Sequence, residues 1–431
     1  MTIPAGPKGT RDFYPEENAT QEFIFASWRG TCRRYGFESY EGPMFESLEL
    51  FTRKSGAEIE KQLYSFQDKG GRNIALRPEM TPTLARMVAA RGTNLRMPLR
   101  WFSIPRLFRY ERMQKGRLRE FFQLNMDILG VAEVAADAEL IAAAIDMMRD
   151  LGFTSDDFKV RISSRTLLEE LLIAAGLPKD RCPPLYALLD KKAKIPPDVF
   201  EKELKEIVSK EETQTAINAV FRAGTLAEIK QKGFAPPALC GLERLFATLS
   251  QYGFDEYVTF DIGIVRGLDY YTGIVFEIID SKKGLRAIAG GGRYNNLVAM
   301  YGGPVTPAVG FAAGDVVLAE LMKEKGIKPP YPSRSDCYCI ALDNSCQGEI
   351  VAFAQELRSR GVACEFSLKK TAVGKQLQLA NTARSPYAIF IGGLENASGM
   401  VRIKNMATGE ETLILRKEAA VTLAGMVQKR A

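Results

Sequence analysis

Residues 99–130 read LRWFSIPRLFRYERMQKGRLREFFQLNMDILG, and no other stretch says as much about the fold. Apolar and basic side chains alternate over residues 100–111, and a largely apolar run covers residues 120–128. Alternation with a period of two is typical of a β-strand with one buried face. Residues 113–116 between the two runs end in glycine, so the sequence predicts an antiparallel strand pair with a basic loop at its tip.

The charge of this stretch indicates an anionic ligand. Eight Lys and Arg residues lie between positions 96 and 119, against the single acid Glu111. Because they alternate with core residues, these cations are held in place, unlike the charges of a solvated helix face. Arginine forks bind phosphate oxygens bidentately and keep their proton, so Arg109 on the strand and Arg117 in the loop suit a polyphosphate.

The composition is that of a large globular protein. The chain has 431 residues, of which 46% are hydrophobic and 26% charged, with a formal net charge of +6. A chain of this length forms several domains. The seven cysteines lack the paired spacing of a zinc site, and we interpret them as reduced thiols. A cytoplasmic protein without membrane spans is expected, since the sequence shows no signal pattern and no apolar run near ~18 residues.

Histidine is absent from the chain. At an average abundance of roughly 2%, a chain of this length would carry about nine histidines. The sequence therefore excludes a Ser-His-Asp hydrolase, a Cys-His protease and a His-ligated zinc enzyme. Any chemistry must rest on carboxylates, on arginines, on a metal-bound substrate or on groups of the substrate itself.

Outward from residues 99–130, antiparallel strands and flanking helices predict the α+β class. The predicted strands are a hairpin over residues 64–77, a short strand over 38–40, and strands over 258–265, 273–279 and 308–312. The predicted helices cover residues 20–35, 81–91, 132–151 and 314–323. Residues 160–250 are mostly helical with interrupting proline pairs, which indicates an inserted module.

A proline-rich segment at residues 328–332 is followed by a different pattern, in which strands and helices alternate. Strands are predicted over residues 337–341, 363–366, 387–391 and 400–405, with helices over 347–360 and 373–383. This alternation indicates a separate α/β domain with a partly parallel sheet. The predicted organisation is a core of residues 1–158 and 254–325, a helical insertion of residues 159–253, a linker of residues 326–333 and a C-terminal domain of residues 334–431.

Four further groups of residues have side chains suited to ligands. On the second strand of the stretch, Phe121 can face a base while Gln123 and Asp127 face a small polar ligand. The sequence RPEMT at residues 77–81 offers one carboxylate and one hydroxyl, which suits an ammonium group. The last two groups are RGLDYYTG at residues 266–273 and GGGRYNNL at residues 290–297, whose glycines allow a ligand to approach the backbone closely.

These motifs together resemble a known family. The strand–loop–strand unit looks like motif 2 of class II aminoacyl-tRNA synthetases, and EGPMFE at residues 41–46 resembles motif 1, their dimer-interface element. The RGLDYYTG and GGRY segments are similar to two signature peptides of histidyl-tRNA synthetases. The resemblance follows the family's order over nearly the whole chain. It implies a class II antiparallel sheet flanked by helices, a helical insertion and a C-terminal α/β anticodon-binding domain.

The resemblance also implies an activity and roles for residues. It implies a homodimer that uses ATP with Mg²⁺ to activate L-histidine and transfers it to the 3′ end of tRNA(His). Arg109 and Arg266 would be the catalytic residues, on opposite sides of the ATP α-phosphate. The other implied ATP contacts are Glu111, Arg117 and Phe121. The implied histidine contacts are Glu79 and Thr81 for the α-ammonium, Gln123 for the backbone end, Asp127 with Tyr270 and Tyr271 for the imidazole, and in addition Arg266 and Tyr294.

Two positions depart from the family pattern. Motif 3 normally has an arginine that clamps the γ-phosphate, whereas residues 310–318 read GFAAGDVVL and place Val317 there. Loss of a buried phosphate clamp costs on the order of 2–4 kcal/mol unless another cation enters. The candidate replacements are the loop cations Arg112, Lys115 and Arg117. Asp127 stands where the family often has glutamate, which is one methylene longer.

Two alternative functions remain open at the level of sequence. The missing arginine favours a catalytically silent paralogue that acts as a histidine sensor or as a regulatory subunit of histidine biosynthesis. The presence of Arg109, Glu111 and Arg266 favours the enzyme instead. A protein that binds RNA without chemistry is the second alternative, because residues 331–431 contain 13 Lys and Arg against 9 Asp and Glu.

The absence of histidine suggests a regulatory hypothesis: a chain that charges histidine but contains none is still translated when histidine is scarce. A variant with histidines at a set of surface positions should therefore recover more slowly from histidine starvation than the wild type. A matched variant with glutamines at the same positions controls for the substitutions. Equal recovery of the two variants in a starvation and refeeding experiment would rule the hypothesis out.

Overall fold

The computed structural model describes residues 3–53, 61–191, 195–231, 237–264, 270–282, 287–393 and 398–429. The chain divides into two compact units, Met1–Pro329 and Pro330–Ala431. Each unit has its own buried apolar core. In the described ranges, no helix combines the length and the apolar character that a bilayer span requires.

The first unit contains twelve strands among its described residues. They are β1 Glu38–Ser39, β2 Phe45–Ser47, β3 Ser65–Gln67, β4 Asn73–Leu76, β5 Leu99–Ser103, β6 Arg106–Phe108, β7 Glu120–Leu129, β8 Phe158–Ser164, β9 Val258–Phe260, β10 Ile274–Asp280, β11 Ala289–Arg293 and β12 Ala308–Gly314. The described helices are α1 Pro15–Arg34, α2 Leu48–Thr52, α3 Thr81–Arg91, α4 Val134–Asp150, α5 Arg165–Ala174, α6 Cys182–Lys191, α7 Pro197–Ile207, α8 Glu211–Phe221, α9 Leu226–Gln231, α10 Pro237–Gln251, α11 Leu297–Met300 and α12 Asp315–Glu324.

Nine of these strands form one sheet, in the order β1-β5-β7-β12-β11-β10-β8-β9, with β6 also paired to β7. Only β1–β5 and β8–β9 are parallel pairs in the described sheet. The alanine-rich helix α4 packs on this sheet and is covered by α1 and α10. Strands β2, β4 and β3 form a second, smaller sheet. The predicted α+β class is confirmed.

Strands at two places in the first unit differ from the sequence-based expectations. The single strand predicted over residues 100–111 is two strands, β5 and β6, because Pro105 between them has no N–H for a ladder. Strand β8 belongs to the large sheet through its pairing with β10, so the sheet includes residues 159–164 of the predicted insertion. The remaining predicted insertion contains helices α5–α10.

The glycine cluster at residues 290–292 forms part of β11 and lies between two other strands. A Cβ atom on Gly291 would lie 2.2 Å from the carbonyl oxygen of Gly310, and one on Gly292 would lie 2.7 Å from that of Ile274. These glycines therefore let neighbouring strands approach each other, not a ligand. Arg293 is buried and forms an ion pair with Asp137, which gives it a structural role.

The second unit is a five-stranded sheet in the order β14-β13-β15-β16-β17, with β13 parallel to β14 and β15. Its strands are β13 Cys337–Ala341, β14 Cys364–Phe366, β15 Tyr387–Ile391, β16 Met400–Asn405 and β17 Glu411–Leu415. Its helices are α13 Gln347–Ser359, α14 Val373–Thr382 and α15 Arg416–Gln428. The predicted α/β class is confirmed, whereas β17 and α15 had not been predicted.

Candidate active site

Two buried carboxylates form the centre of the site. Glu79 lies in the turn between β4 and α3, and Asp127 lies on β7. Their exposed fractions are 5% and 3%. The Tyr270 hydroxyl donates a hydrogen bond to Glu79 Oε2 at 3.0 Å, and the Tyr294 hydroxyl donates to Asp127 Oδ1 at 2.5 Å. The two tyrosine rings meet edge to face, with centroids 5.9 Å apart. We call these four residues the acidic pocket.

Each carboxylate of the acidic pocket has one oxygen that no described group satisfies. Glu79 Oε1 and Asp127 Oδ2 are buried and accept no hydrogen bond from the described residues. Burial raises the pKa of both groups, that of Asp127 to about 7, although hydrogen bonds from the tyrosines oppose the rise. The positive charge of Arg109 also lowers the pKa of Glu79. A ligand that brings N–H donors would satisfy both oxygens.

The position of Asp127 depends on a glycine on the neighbouring strand. Gly310 of β12 lies directly opposite Asp127 in the ladder. A Cβ atom on Gly310 would lie 1.9 Å from Asp127 Oδ1, closer than any real contact. Only glycine at this position therefore lets the carboxylate occupy its place on β7.

Three other predicted histidine contacts, Thr81, Gln123 and Tyr271, differ in their surroundings. Thr81 bonds to the hydroxyl of Tyr270, so it lies on the Glu79 side. Gln123 is half-buried and shares a face of β7 with Asp127. Tyr271 is 8% exposed and packs in the apolar core, and its backbone carbonyl accepts a hydrogen bond from Arg165.

The predicted ATP contacts lie near the loop between β6 and β7. Arg109 Nε donates to the carbonyl oxygen of Pro78 at 2.8 Å, next to Glu79 in the chain. The guanidinium carbon of Arg109 lies 5.3 Å from the centroid of the Phe121 ring. Arg117 forms an ion pair with the buried Glu111, whose Oε1 accepts no hydrogen bond from the described residues. The structure therefore brings these four residues together.

The tip of this loop rests on the start of helix α12. Gly116 has a φ of +74°, and a Cβ atom on it would lie 3.2 Å from Val317. Lys115 forms an ion pair with Glu324 at the other end of the helix, with a separation of 2.5 Å. Val317, the residue at the position of the motif 3 arginine, is therefore covered by the glycine of the loop.

One predicted residue cannot be placed. Residues 265–269, which include the predicted catalytic Arg266, lie outside the described residues. The other predicted site residues all lie within the described ranges.

Sequence reasoning missed two residues of the site. The Tyr40 hydroxyl is buried without a partner among the described residues, and the charge of Asp127 raises the pKa of Tyr40 beyond the effect of burial. Arg77 is 4% exposed and joins several segments of chain. The available signals were weak: an aromatic residue at the end of a short strand, and an arginine before Pro78.

Each of the two buried carboxylates keeps one acceptor oxygen without a donor among the described residues, and Arg109 lies close enough to Glu79 to lower its pKa. Such an arrangement suits a ligand that carries both N–H donors and an anionic group.

Comparisons with known proteins agree on one family. The family model of histidyl-tRNA synthetase matches residues 9–315, and that of the anticodon binding domain matches residues 336–425. The chain is 40% identical to the chloroplastic/mitochondrial histidine--tRNA ligase of Arabidopsis thaliana, over 94% of this chain and 84% of that protein. It is also 40% identical to the histidine--tRNA ligase of Opitutus terrae, over 95% of each.

Solved structures show the same fold. A crystal structure of histidyl-tRNA synthetase from Nostoc sp. PCC 7120 has a TM-score of 0.82 at 23% identity and covers all of both chains. An ATP phosphoribosyltransferase regulatory subunit/histidyl-tRNA synthetase from Bacillus halodurans C has a TM-score of 0.75 at 25% identity, over 91% of this chain and 99% of that one.

The raised pKa of Asp127 predicts a pH-dependent difference in stability. Asp127 titrates near 3.8 in the unfolded chain and near 7 in the folded one. The folded state binds more protons between these values, so this group makes the free energy of unfolding fall as pH rises from about 4 to about 7. The variant Asp127→Asn lacks this titration. It should therefore be more stable than the wild type at about pH 8, with a much smaller difference at about pH 5.

Urea unfolding of both proteins at the two pH values measures this difference. The variant Asp150→Asn, whose carboxylate lies at the end of α4 and bonds Thr31 and Arg34, serves as a control. A stability difference between Asp127→Asn and the wild type that is the same at both pH values would contradict the burial argument.

Proposed function

The chain belongs to the histidyl-tRNA synthetase family and uses ATP to join histidine to tRNA. For this reaction we propose which residues bind histidine and which bind ATP. The observation that carries the proposal is the pair of unsatisfied acceptor oxygens in the acidic pocket, Glu79 Oε1 and Asp127 Oδ2. Free histidine brings N–H donors at both of its ends, an α-ammonium and an imidazole. It is therefore a ligand that satisfies both oxygens at once.

The α-ammonium binds at Glu79, where Tyr270, itself bonded to Thr81, already holds the other carboxylate oxygen. The imidazole donates an N–H to Asp127 Oδ2, while Tyr294 keeps the other oxygen occupied. Gln123 on the same face of β7 supports the backbone end of the amino acid. The hydroxyl of Tyr40, which lacks a partner among the described residues, is a further contact for the imidazole.

The remaining residues hold ATP. Arg109 binds the α-phosphate and the carboxylate of histidine, and Phe121 stacks on adenine next to it. Arg266 approaches the α-phosphate from the other side, as the family resemblance implies. Glu111 lies near the adenine amino group, and Arg117 moves from Glu111 to the distal phosphates.

The reaction needs no base from the protein in its first step. The carboxylate of histidine is already ionised, so the barrier is charge repulsion and alignment with the α-phosphate. In the second step, an oxygen of the adenylate phosphate accepts the proton of the tRNA ribose hydroxyl. Both steps are compatible with a chain that contains no histidine.

Magnesium bound with the ATP polyphosphate would neutralise charge on the phosphates. Asp315 does not suit magnesium as a ligand, because its oxygens accept hydrogen bonds from Arg11 and from the Phe122 amide. Among the loop cations, Lys115 pairs with Glu324 and Arg117 already has a role at the distal phosphates, whereas Arg112 is exposed. We therefore assign Arg112 to the γ-phosphate in place of the missing arginine.

A homodimer follows from one face of the small sheet. Phe45 pairs with Leu76, and Phe66 pairs with Ile74, so all four side chains share one face, which we call the apolar sheet face. Phe45 and Phe66 are 54% and 51% exposed. A second copy of the chain covers this face, as the resemblance of residues 41–46 to motif 1 implies. The opposite face packs through Ala75 on helix α2.

The remaining proposals concern the domains and the location. Residues 1–158 and 254–325 form the catalytic core, and the insertion of residues 159–253 contributes the rest of strand β8 to its sheet. Residues 326–333 are a linker and residues 334–431 bind the anticodon. The tRNA substrate is the histidine acceptor, tRNA(His). We place the protein in the cytoplasm, where its seven free cysteines stay reduced.

Amino-acid-dependent ATP–pyrophosphate exchange tests the histidine contacts. Among the twenty amino acids, histidine alone should support exchange. The variant Asp127→Asn should raise KM for histidine about 100-fold, because a charge-assisted hydrogen bond in a buried site is lost. KM for ATP should change less than about 3-fold, as in the control variant Asp150→Asn. A KM for histidine close to the wild-type value in Asp127→Asn would contradict the assigned pose.

Sedimentation velocity tests the homodimer. The variant Phe45→Asp places a charge on the apolar sheet face and should convert a dimer to a monomer that keeps its circular dichroism spectrum. The control is Leu368→Asp, which changes a more exposed apolar residue in the second unit and should remain a dimer. A wild-type chain that sediments as a monomer at micromolar concentration would contradict the proposal.

A further inference from the structure

Arg77 joins three segments of the first unit through one buried guanidinium. Its Nε donates to the carbonyl oxygen of Arg106 at 3.0 Å. Its Nη1 donates to Glu41 Oε1 at 2.5 Å and to the carbonyl oxygen of Gly42 at 2.9 Å. The backbone of Arg77 extends the link, since its amide donates to the Met44 carbonyl at 3.0 Å.

Each of these segments leads directly to a functional part of the protein. Arg106 begins strand β6, and Arg109 follows that strand. Residues 41–44 precede Phe45 of the apolar sheet face. Glu79 stands two positions after Arg77 in the chain, and the Pro78 carbonyl between them accepts a hydrogen bond from Arg109 Nε. Arg77 or a residue that it bonds therefore lies within four residues, along the chain, of the ammonium contact, the phosphate contact and the dimer face.

The contacts of Arg77 require a guanidinium. Nε and Nη1 point to oxygens of two different segments at once, a geometry that the planar fork fixes. A lysine ammonium keeps a positive charge near Glu41 but lacks this fixed fork. The substitution Arg77→Lys therefore removes the link between segments while it retains the charge.

We propose that Arg77 is a positioning residue, which fixes Glu79 relative to Arg109 and links this pair to the dimer face. Covering of the apolar sheet face by a second copy immobilises residues 41–45, and Arg77 transmits this restraint to the turn that carries Glu79. The second half of this statement rests on the proposed homodimer, whereas the first half does not. Arg77 contacts neither substrate and acts through the two residues that do.

A misalignment of about 1 Å between two reacting groups costs roughly 100-fold in rate. The variant Arg77→Lys should therefore lower the single-turnover rate of histidyl-adenylate formation, per active site, about 100-fold. The dissociation constants of histidine and ATP, measured separately, should change less than about 5-fold. Active-site titration supplies the number of competent sites.

The per-site rate separates positioning from a merely structural role. If Arg77 only supports folding, Arg77→Lys lowers the melting temperature and the fraction of competent sites but leaves the rate per site unchanged, and this result would overturn the proposal. Glu41→Ala is the second variant, because its side chain is 61% exposed and its loss spares the fold. It should lower the per-site rate about 10-fold, and a wild-type rate would count against the proposal.

A double-mutant cycle with Phe45→Asp tests the link to the dimer face. Phe45→Asp alone should lower the per-site rate about 10-fold, and it should have little further effect when Arg77→Lys is present. Effects that multiply would show that Arg77 does not transmit the restraint. If the wild-type chain is a monomer, the homodimer proposal fails while the single-variant rates still decide the positioning role of Arg77.

Discussion

The site depends on the burial of two carboxylates that the described protein groups do not fully satisfy. Removal of a carboxylate from water is unfavourable unless donors replace the lost hydration, and Glu79 and Asp127 each lack a donor for one oxygen among the described residues. The protein holds this arrangement with Tyr270 and Tyr294, and with Gly310, which leaves room for Asp127. A ligand whose N–H groups donate to these two oxygens removes the unfavourable free energy of their burial, and binding of such a ligand is therefore favoured.

The arginines supply the positive charge of the site, and a guanidinium group keeps this charge without any proton transfer. A histidine-free chain has no side chain that titrates near neutral pH by its ordinary pKa, and burial of Asp127 supplies such a group by shifting a carboxyl. The reaction uses the carboxylate of the substrate as nucleophile, so the chain needs cations and alignment more than a base. Arg109 supplies a cation and is itself held by the Pro78 carbonyl.

Local patterns in the sequence predicted many of the elements and fewer of the contacts. The strands at residues 337–341, 387–391 and 400–405 and the helix at residues 81–91 have the predicted bounds, because strong periodicity and flanking breaks specify them. Apolar and basic residues alternate on both sides of Pro105, so the pattern predicted one strand. Pro105 has no N–H to donate, and the structure has two strands there. The last strand and helix of the second unit were missed, since β17 is an exposed edge strand with little apolar contrast.

Contacts between distant segments were harder to predict from the sequence. The glycines at residues 290–292 were predicted to let a ligand approach the backbone. The strand order shows instead that neighbouring strands occupy the space beside these glycines. Tyr270 and Tyr294 were both assigned to histidine, but their separate pairing with Glu79 and Asp127 depends on a sheet that brings residues 79, 127, 270 and 294 together. Arg77 had only a weak local signal, because its partners are two carbonyl groups, which any sequence provides, and the distant Glu41.

Isotope-edited infrared difference spectroscopy of the aspartate carboxyl groups tests the central claim most directly. The free protein should show a buried, protonated carboxyl that titrates near pH 7, and the signal should be missing in Asp127→Asn. Saturation with histidine should abolish the signal at pH 6, because the bound imidazole stabilises the ionised form. A free protein with no protonated aspartate at pH 6, or a signal that persists with histidine bound, would contradict the account.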